Sequence, residues 1–311
     1  MPGDPFTLYL NFIDTANAFS GALHQPLQQE LESFFEREDA AKGADGLYAQ
    51  VAVGASPDEV NFKELLDRNP YSNPQKIKSD LKAADERGWI TLTDTGFSAT
   101  QKAGKFTDEL VGILVEYAAM READLEVDIP RIVSLLGRLV ESAQTTDVFS
   151  NKPSFTFARN YEYEDKTPSL LWVRRHLITM GNYRDDCHIA SWKSLDLPGY
   201  HWEAFTFIWQ DQAHTATELA EKLTFRGYDE NDYATALAKL AELGWVEEAD
   251  GAFTLTEKGV AVREDAETRT NQYYKAAFEV LSEAEITELS GLIQSLIDTI
   301  KIEEGEEAQP A

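Results

Sequence analysis

Apolar positions between residues 74 and 86 fall at Ile77, Leu81 and Ala84, an i, i+4, i+7 spacing that lines one face of a helix. Tyr233, Leu237 and Leu240 repeat that spacing 156 residues later. The match extends without gaps from LKAADERGWITLTDTGFSATQKA (81–103) to LAKLAELGWVEEADGAFTLTEKG (237–259), pairing Gly88 with Gly244, Trp89 with Trp245, Phe97 with Phe253, Thr100 with Thr256 and Lys102 with Lys258. An offset of half the chain predicts two tandem copies of one unit.

Each copy carries the same local plan. Ser72-Asn73-Pro74 caps the first helix and places proline in its first turn, while Asp229 or Asn231 caps the second. Gly88 and Gly244 stand where a helix ends on a left-handed residue. A strand follows at Trp89–Leu92 or Trp245–Glu247, then a turn at Asp94-Thr95-Gly96 or Asp250-Gly251, then a return strand holding Phe97 or Phe253. Upstream, Phe62, Leu65 and Leu66 mark a short helix in one copy, and Leu219 and Leu223 in the other. Helix, turn, helix, strand, hairpin, strand is a winged-helix order.

Long helices are predicted after each unit, at about Gln101–Met120 and Pro130–Ala143, and at about Glu257–Leu281 and Glu283–Lys301. Tyr117 matches Tyr273 at the same offset, and Leu135-Leu136-Gly137 matches Leu289-Ser290-Gly291 with a small shift. The expected fold is therefore mainly α with small β-hairpin wings. A first domain spans 1–150 and a second 151–311, with 145–168 as an aperiodic connection and 303–311 as an unstructured acidic tail.

GWVEEADGAFTLTEKGVAVREDAE, continuing to LSEAEITELSGLIQSLI, resembles the MarR family of winged-helix transcriptional regulators. The second half, about 168–300, is also similar to a mostly actinobacterial MarR-like branch that carries an Arg-x-Asp-x-His helix ahead of the winged unit, matched by LLWVRRHLITMGNYRDDCHIASW at 170–192. The resemblance implies a dimeric DNA binder with a small ligand between the dimer and DNA modules. A tandem duplication would build that pseudo-dimer within one chain, working as a monomer or as a homodimer.

Composition and charge qualify this picture. Hydrophobic residues at 43% and charged residues at 27% are ordinary for a globular chain and exclude wholesale disorder. No apolar run approaches membrane-span length, and MPGDPFTLYL lacks the pattern of a secretory leader, so a cytoplasmic protein is expected. The single cysteine, Cys187, rules out an internal disulfide and a multi-cysteine metal site. The net charge of -27 is spread over both halves, with 14 basic and 25 acidic residues in 1–155, and 14 and 30 in 156–311. Such a surface repels nucleic acid at long range, so contact with double-stranded DNA requires a local basic patch.

The first-half helix offers one: Gln75, Lys78 and Lys82 share a face opposite its apolar row, with Lys76 beside them. They are candidate DNA contacts, against the alternative of ordinary surface lysines. Their second-half equivalents are Asn231, Ala234 and Ala238, behind Asp229, Glu230 and Asp232. Neither wing carries Arg or Lys, unlike the usual MarR-like wing, so any DNA contact is assigned to the first half.

The densest polar cluster is Tyr183-Arg184-Asp185-Asp186-Cys187-His188. On a helix Arg184, His188 and Trp192 share one face, and Arg174, Arg175 and His176 sit on a preceding helix expected to break at Gly181-Asn182. Arginine can hold a carboxylate or phosphate through two bonds, and a histidine can partner it or act as a general base. Arg175, Arg184, Asp186, His188 and Trp192 are therefore candidate residues for a small anionic ligand, in a pocket walled by Trp172, Tyr183, Tyr200 and Trp202. The alternative is an ion-paired helix packed on the winged unit, with Arg184 satisfied by Asp185 or Asp186. Asp186, His188 and His201 are weak metal candidates without a His-x-x-x-His or Cys pair, and His24 and His214 stand alone. No phosphate loop or Gly-x-Ser-x-Gly motif occurs, so neither an enzyme nor a cofactor is expected.

Overall fold

A computed structural model describes residues 14–307 except 15, 22, 24, 26, 39–44, 124, 161, 162, 164 and 165. Helical residues at 14, 16–21 and 23 precede α1 (Gln28–Arg37), which is followed by α2 (Asp45–Ala55), the short β1 (Val60–Asn61), α3 (Phe62–Arg68) and α4 (Pro74–Glu86). The hairpin of β2 (Ile90–Leu92) and β3 (Gly96–Ala99) follows, then α5 (Gln101–Glu122) and α6 (Ile129–Thr145). A short α7 (Pro153–Arg159) leads to the 25-residue α8 (Ser169–Lys193). The second half runs through α9 (Gly199–Trp209), α10 (Ala216–Lys222) and α11 (Glu230–Glu242). It continues with the hairpin of β4 (Val246–Ala249) and β5 (Ala252–Leu255), then α12 (Glu257–Ala276) and α13 (Glu283–Glu307).

The repeated sequence folds through repeated hydrogen bonds. The amides of Trp89 and Trp245 return to Ala84 and Leu240 at 2.9 and 3.0 Å. Gly88 and Gly244 hold φ of 76° and 70°, a region that strains residues with a Cβ. The hydroxyls of Thr100 and Thr256 donate to Gly88 and Gly244 at 2.8 and 2.7 Å, and the same oxygens cap α5 and α12. Ile77, Leu81 and Ala84 are buried on α4, and Tyr233, Leu237 and Leu240 on α11.

The hairpins differ at their outer edge. In the first, β1 pairs with β3 to make a three-stranded antiparallel sheet, with Val60 opposite Phe97 and Leu92 on the other side of Phe97. In the second, two strands remain, and the Phe253 amide donates to the His214 carbonyl where a third strand would sit. Phe97 is accordingly fully buried, whereas Phe253 is only half-buried. The difference follows from the sheet edge, since β1 covers Phe97 and no strand covers Phe253 from outside.

Each helix-and-hairpin unit has its own apolar core, one around Trp89, Phe97 and Phe106, the other around Trp202, Trp245 and Leu237. A third and larger core joins α6, α8, α12 and α13, drawing Leu135 and Leu139 from one side of residue 150 and Leu177, Tyr274 and Ile293 from the other. Arg131 bonds Glu288 through two nitrogens at 2.9 and 2.7 Å, and Arg138 reaches Glu285, so the matched last helices of the halves pack against each other.

Three expectations change. α8 does not break at Gly181-Asn182. Its buried row of Leu177, Met180, Tyr183 and Cys187 outweighs the roughly 1 kcal/mol a helical glycine costs, and Asn182 donates back to Ile178 within the helix. The connection at 145–168 contains α7, which opens on Pro153. α13 continues through Glu307, into the stretch expected to be unstructured, and residues 308–311 lie outside the described residues.

Candidate functional site

The two helix-turn-helix segments, α3 to α4 and α10 to α11, meet at their turns. The Asn73 amide donates to the Arg226 carbonyl at 2.8 Å, and the Asn73 side-chain nitrogen donates to the Gly227 carbonyl at 2.9 Å. Arg226 forms a half-buried pair with Glu203 on α9 at 2.6 Å and also reaches Asn69 at 3.2 Å. Burial pushes the Glu203 carboxyl up, with Arg226 opposing that shift. A Cβ on Gly199 would stand 2.2 Å from the Pro70 carbonyl, so glycine there permits the close approach. α4 and α11 therefore begin side by side, their N-caps at most about 16 Å apart from the bonded pair and the three-residue span to Asp229.

The candidate DNA row lies on α4. Gln75, Lys78 and Lys82 are exposed. Lys76 is drawn in: its stem packs against Gly227 and its ammonium pairs with Asp80 at 2.7 Å. Lys82 lies 3.7 Å from Glu86. At the start of α11 Asp229 caps the helix by accepting from the amides of Asn231 and Asp232, the first of the two caps the sequence allowed.

The five candidate ligand residues are not brought together. Arg184 and His188 converge on Glu267 of α12, at 4.0 and 3.9 Å. Arg263, buried one turn earlier, bonds the same carboxylate at 2.6 Å and lies over Trp202 at 5.1 Å. The His188 ring accepts from the Trp202 indole at 3.2 Å. Burial lowers its proton affinity to about 4, with Arg263 and Arg184 adding to the effect and Glu267 opposing it. His188 is therefore a neutral acceptor at neutral pH.

The other three serve different places. Trp192 extends the Arg184–His188 row by one turn but is enclosed, stacked on Trp202 and donating to the Tyr71 hydroxyl of the first half at 3.3 Å. Asp186 points to the other side of α8, where it accepts from the amides of Ser154 and Phe155 at 3.0 and 2.8 Å and so fixes the start of α7. Burial pushes its carboxyl up to about 6 against those bonds. Arg175 donates to the Arg159 carbonyl at 3.0 Å and lies over Trp172 and Tyr163. The expected wall of Trp172, Tyr183, Tyr200 and Trp202 likewise divides, since Trp172 packs with Tyr163 and His176 while Trp202 faces His188.

Two chambers flank α8 where Arg184 and His188 emerge. One, of about 470 Å³, is lined by Arg184, His188 and Glu267. The other, of about 500 Å³, lies between the two units and is lined by Arg68, Tyr71, Glu203 and Arg226. Asn182, Asp185 and His188 border both, so this i, i+3, i+6 row is their partition. The Asp185 carboxyl is raised by burial, with Arg184 and Arg68 holding it down in part.

Glu267 and Arg263 escaped the sequence reading, although their i, i+4 spacing in VREDAE is an ion-pair signal; only the fold brings α12 onto α8. Cys187 is buried and its thiol is pushed up by that burial, so it is no reactive thiolate. Among the described residues no three His, Cys, Asp or Glu side chains gather as a metal-ligating group. His214 bonds the Phe253 carbonyl through its ring and supports the second hairpin, and His24 lies outside the described residues.

A helix-turn-helix family model matches residues 118–305, more than half of the chain. The chain belongs to that helix-turn-helix family. No curated protein and no solved structure matches it. Membership in a helix-turn-helix family suggests a DNA-binding regulator in general. The matched stretch begins within α5 and includes α10 and α11, whereas α4 and its lysines precede it. Among the described residues no helix is long and apolar enough to cross a membrane.

Proposed function

We propose that this chain is a ligand-responsive regulator of MarR-like type, a tandem winged-helix pseudo-dimer that acts in the cytoplasm and contacts DNA through α4. The observation that carries the DNA assignment is the exposed row of Gln75, Lys78 and Lys82 on the helix that follows the first turn. A cationic stripe on that helix matches the backbone and base-edge contacts that recognition helices make. The equivalent row on α11 is uncharged behind an acidic cap, and carboxylates occupy the place a phosphate would take. The ligand is assigned to Arg184 and His188, where a cation and a neutral acceptor border a chamber of about 470 Å³. An anion held there would raise the proton affinity of His188, so binding takes up a proton and weakens as pH rises.

A second reading is a winged-helix derivative that has given up DNA and retains only the ligand site. The bond between Asn73 and Arg226 favours it, since recognition helices that read two half-sites enter major grooves about 34 Å apart. Carboxylates beside Lys76 and Lys82 point the same way.

Fluorescence anisotropy with mixed-sequence duplex DNA at low salt separates the two. On the regulator reading the intact chain binds, Lys78→Glu with Lys82→Glu abolishes binding, and Ala234→Glu with Ala238→Glu leaves it nearly unchanged. Damage from the second-half pair alone would overturn the assignment to α4. No binding by the intact chain would establish the derivative.

A further inference from the structure

Four charged side chains among the described residues line the chamber of about 500 Å³ between the two units. Arg226 and Glu203 bond each other at 2.6 Å and cancel. Arg68 at the end of α3 and Asp185 on α8 form no ion pair or hydrogen bond among the described residues, although each lies within the other's field. We infer that this chamber binds a free amino acid with an apolar side chain, its carboxylate on Arg68 and its ammonium on Asp185. The chamber lies across the row of Asn182, Asp185 and His188 from Arg184, so the inference goes beyond the anion site assigned there.

Each group is left open by its own surroundings. The Arg68 guanidinium lies over the Phe157 ring at 3.8 Å, a contact that leaves N–H donors for an oxygen. Burial lowers its proton affinity, with Asp185 and Asp186 opposing the shift. An enclosed cation without a bonded acceptor is costly, and a ligand carboxylate offers the two oxygens that a guanidinium fork fits. Asp185 is exposed to the spaces it borders, yet enough protein stands around it to push its carboxyl up. Its neighbours on α8 take other partners: Arg184 turns to Glu267, and Asp186 to the amides of Ser154 and Phe155.

A ligand with a single charge would satisfy one group and be repelled by the other. An anion on Arg68 is brought towards the Asp185 carboxylate, and a cation on Asp185 towards the guanidinium. A molecule with both charges meets each group with its opposite. The rest of the lining sets the body of that molecule. Leu65 and Phe207 are half-buried on the chamber wall, and Leu47, also on it, is 56% exposed. An apolar side chain on the ligand would cover them, in a volume suited to a small molecule.

Isothermal titration of the full chain with L-phenylalanine tests this, alongside L-phenylalaninamide, which lacks the carboxylate, and N-acetyl-L-phenylalanine, which lacks the ammonium. Saturable one-to-one binding of the free amino acid is expected, with each blocked form weaker by at least about tenfold, the scale of one charge-assisted hydrogen bond lost. Arg68→Gln should weaken L-phenylalanine by a similar factor and leave the amide unchanged. Asp185→Asn should weaken L-phenylalanine likewise and leave the N-acetyl form unchanged. The blocked forms are compared on the unmodified chain, so the test stands even if a variant fails to fold by circular dichroism. Arg184→Ala, which alters the other chamber, should bind L-phenylalanine nearly as the unmodified chain does. Absence of saturable binding, a blocked form that binds as well as the free amino acid, or loss in Arg184→Ala with retention in Arg68→Gln and Asp185→Asn would each overturn the inference.

Discussion

Asn73 holds the two halves together twice over, its amide on the carbonyl of Arg226 at 2.8 Å and its side chain on the carbonyl of Gly227 at 2.9 Å, while its own carbonyl-type oxygen caps α4 through the amide of Gln75. One residue thus starts the candidate recognition helix and joins it to the opposing turn. The junction is stiffened from below by Arg226, whose guanidinium is spent on Glu203, Asn69 and Ser72.

Removing Arg226 should therefore be expensive. Both partners of its pair with Glu203 are mostly enclosed, with side-chain exposures of 19% and 12%. Arg226→Ala leaves a half-buried carboxylate without its counter-charge, and the expected loss is about 1–3 kcal/mol. Arg226→Met combined with Glu203→Leu removes both charges and should recover most of it. Urea denaturation of the single and double variants measures the difference, and equal losses in both would show that packing rather than charge holds the junction.

Two glycines near the starts of the long helices, not matched to each other by the repeat, make a sharper comparison. A Cβ on Gly259 would lie 2.0 Å from the backbone oxygen of Trp245, whereas one on Gly104 would meet nothing within 4 Å. Gly259→Ala must push the second hairpin off α12 and should cost about 1–3 kcal/mol. Gly104→Ala should stabilise by about 0.5–1 kcal/mol, since alanine is the better helix former. Melting temperatures moving in opposite directions are the expected result, and a shared direction would contradict the hairpin geometry.

Much of this fold was legible because it is local and stated twice. The capping threonines, the left-handed glycines and the buried rows of α4 and α11 each depend on residues within about four positions of one another, and the sequence repeats them at one offset. What could not be read is what depends on distant chain. The break assigned to Gly181-Asn182 followed local propensity, but the buried row of α8 is decided by α6 and α12. Arg184, His188 and Trp192 share a face as their spacing predicts, yet Trp192 is closed off by Tyr71, which stands 121 residues earlier. Arg175 and Asp186 sit near Arg184 in sequence and face other sides of the helix. Glu267, the carboxylate that Arg184, His188 and Arg263 share, comes from an element that no spacing rule connects to α8.

The histidines set the acid response. His188 and His176 are both held near 4 by burial, whereas an unfolded chain protonates each near 6.5. Between those values the unfolded state binds more protons, so stability present above pH 6.5 is lost as pH falls towards 4. Asp186 acts in the opposite sense over part of the window: pushed up to about 6, it takes its proton more readily when folded, and its contribution declines as pH rises towards that value. Asp185 and Glu203, also raised by burial, act with Asp186, and His201, lowered by burial, acts with the other two histidines, so the share of His188 is read from its own variant. His188→Gln should flatten the profile by up to about 1.4 kcal/mol per pH unit between 4 and 6.5. Urea midpoints at pH 4.5, 5.5, 6.5 and 7.5 test this, and an unchanged slope in the variant would mean that His188 is not the buried neutral group described.

Asn73→Asp separates the two duties of the residue that joins the halves. The carboxylate still accepts from the Gln75 amide and adds a negative charge at the start of α4, so the helix keeps its cap. It cannot donate to Gly227, and it sets an anion against that carbonyl and close to the acidic start of α11. The helix should remain formed while the junction loosens, seen as faster amide exchange at residue 73 with unchanged protection at Leu81 and Ala84. Asn73→Ala loses cap and junction together and should lower protection along the first turn of α4 as well. If closure of the turns opposes DNA contact, Asn73→Asp should also bind duplex more tightly than the unmodified chain at the same salt, despite its extra negative charge. That sign is the informative one, because electrostatics alone would weaken binding. Exchange at residue 73 that does not change would show that the backbone bond to Arg226 suffices, and weaker duplex binding with faster exchange would show that the closed arrangement is the one that meets DNA.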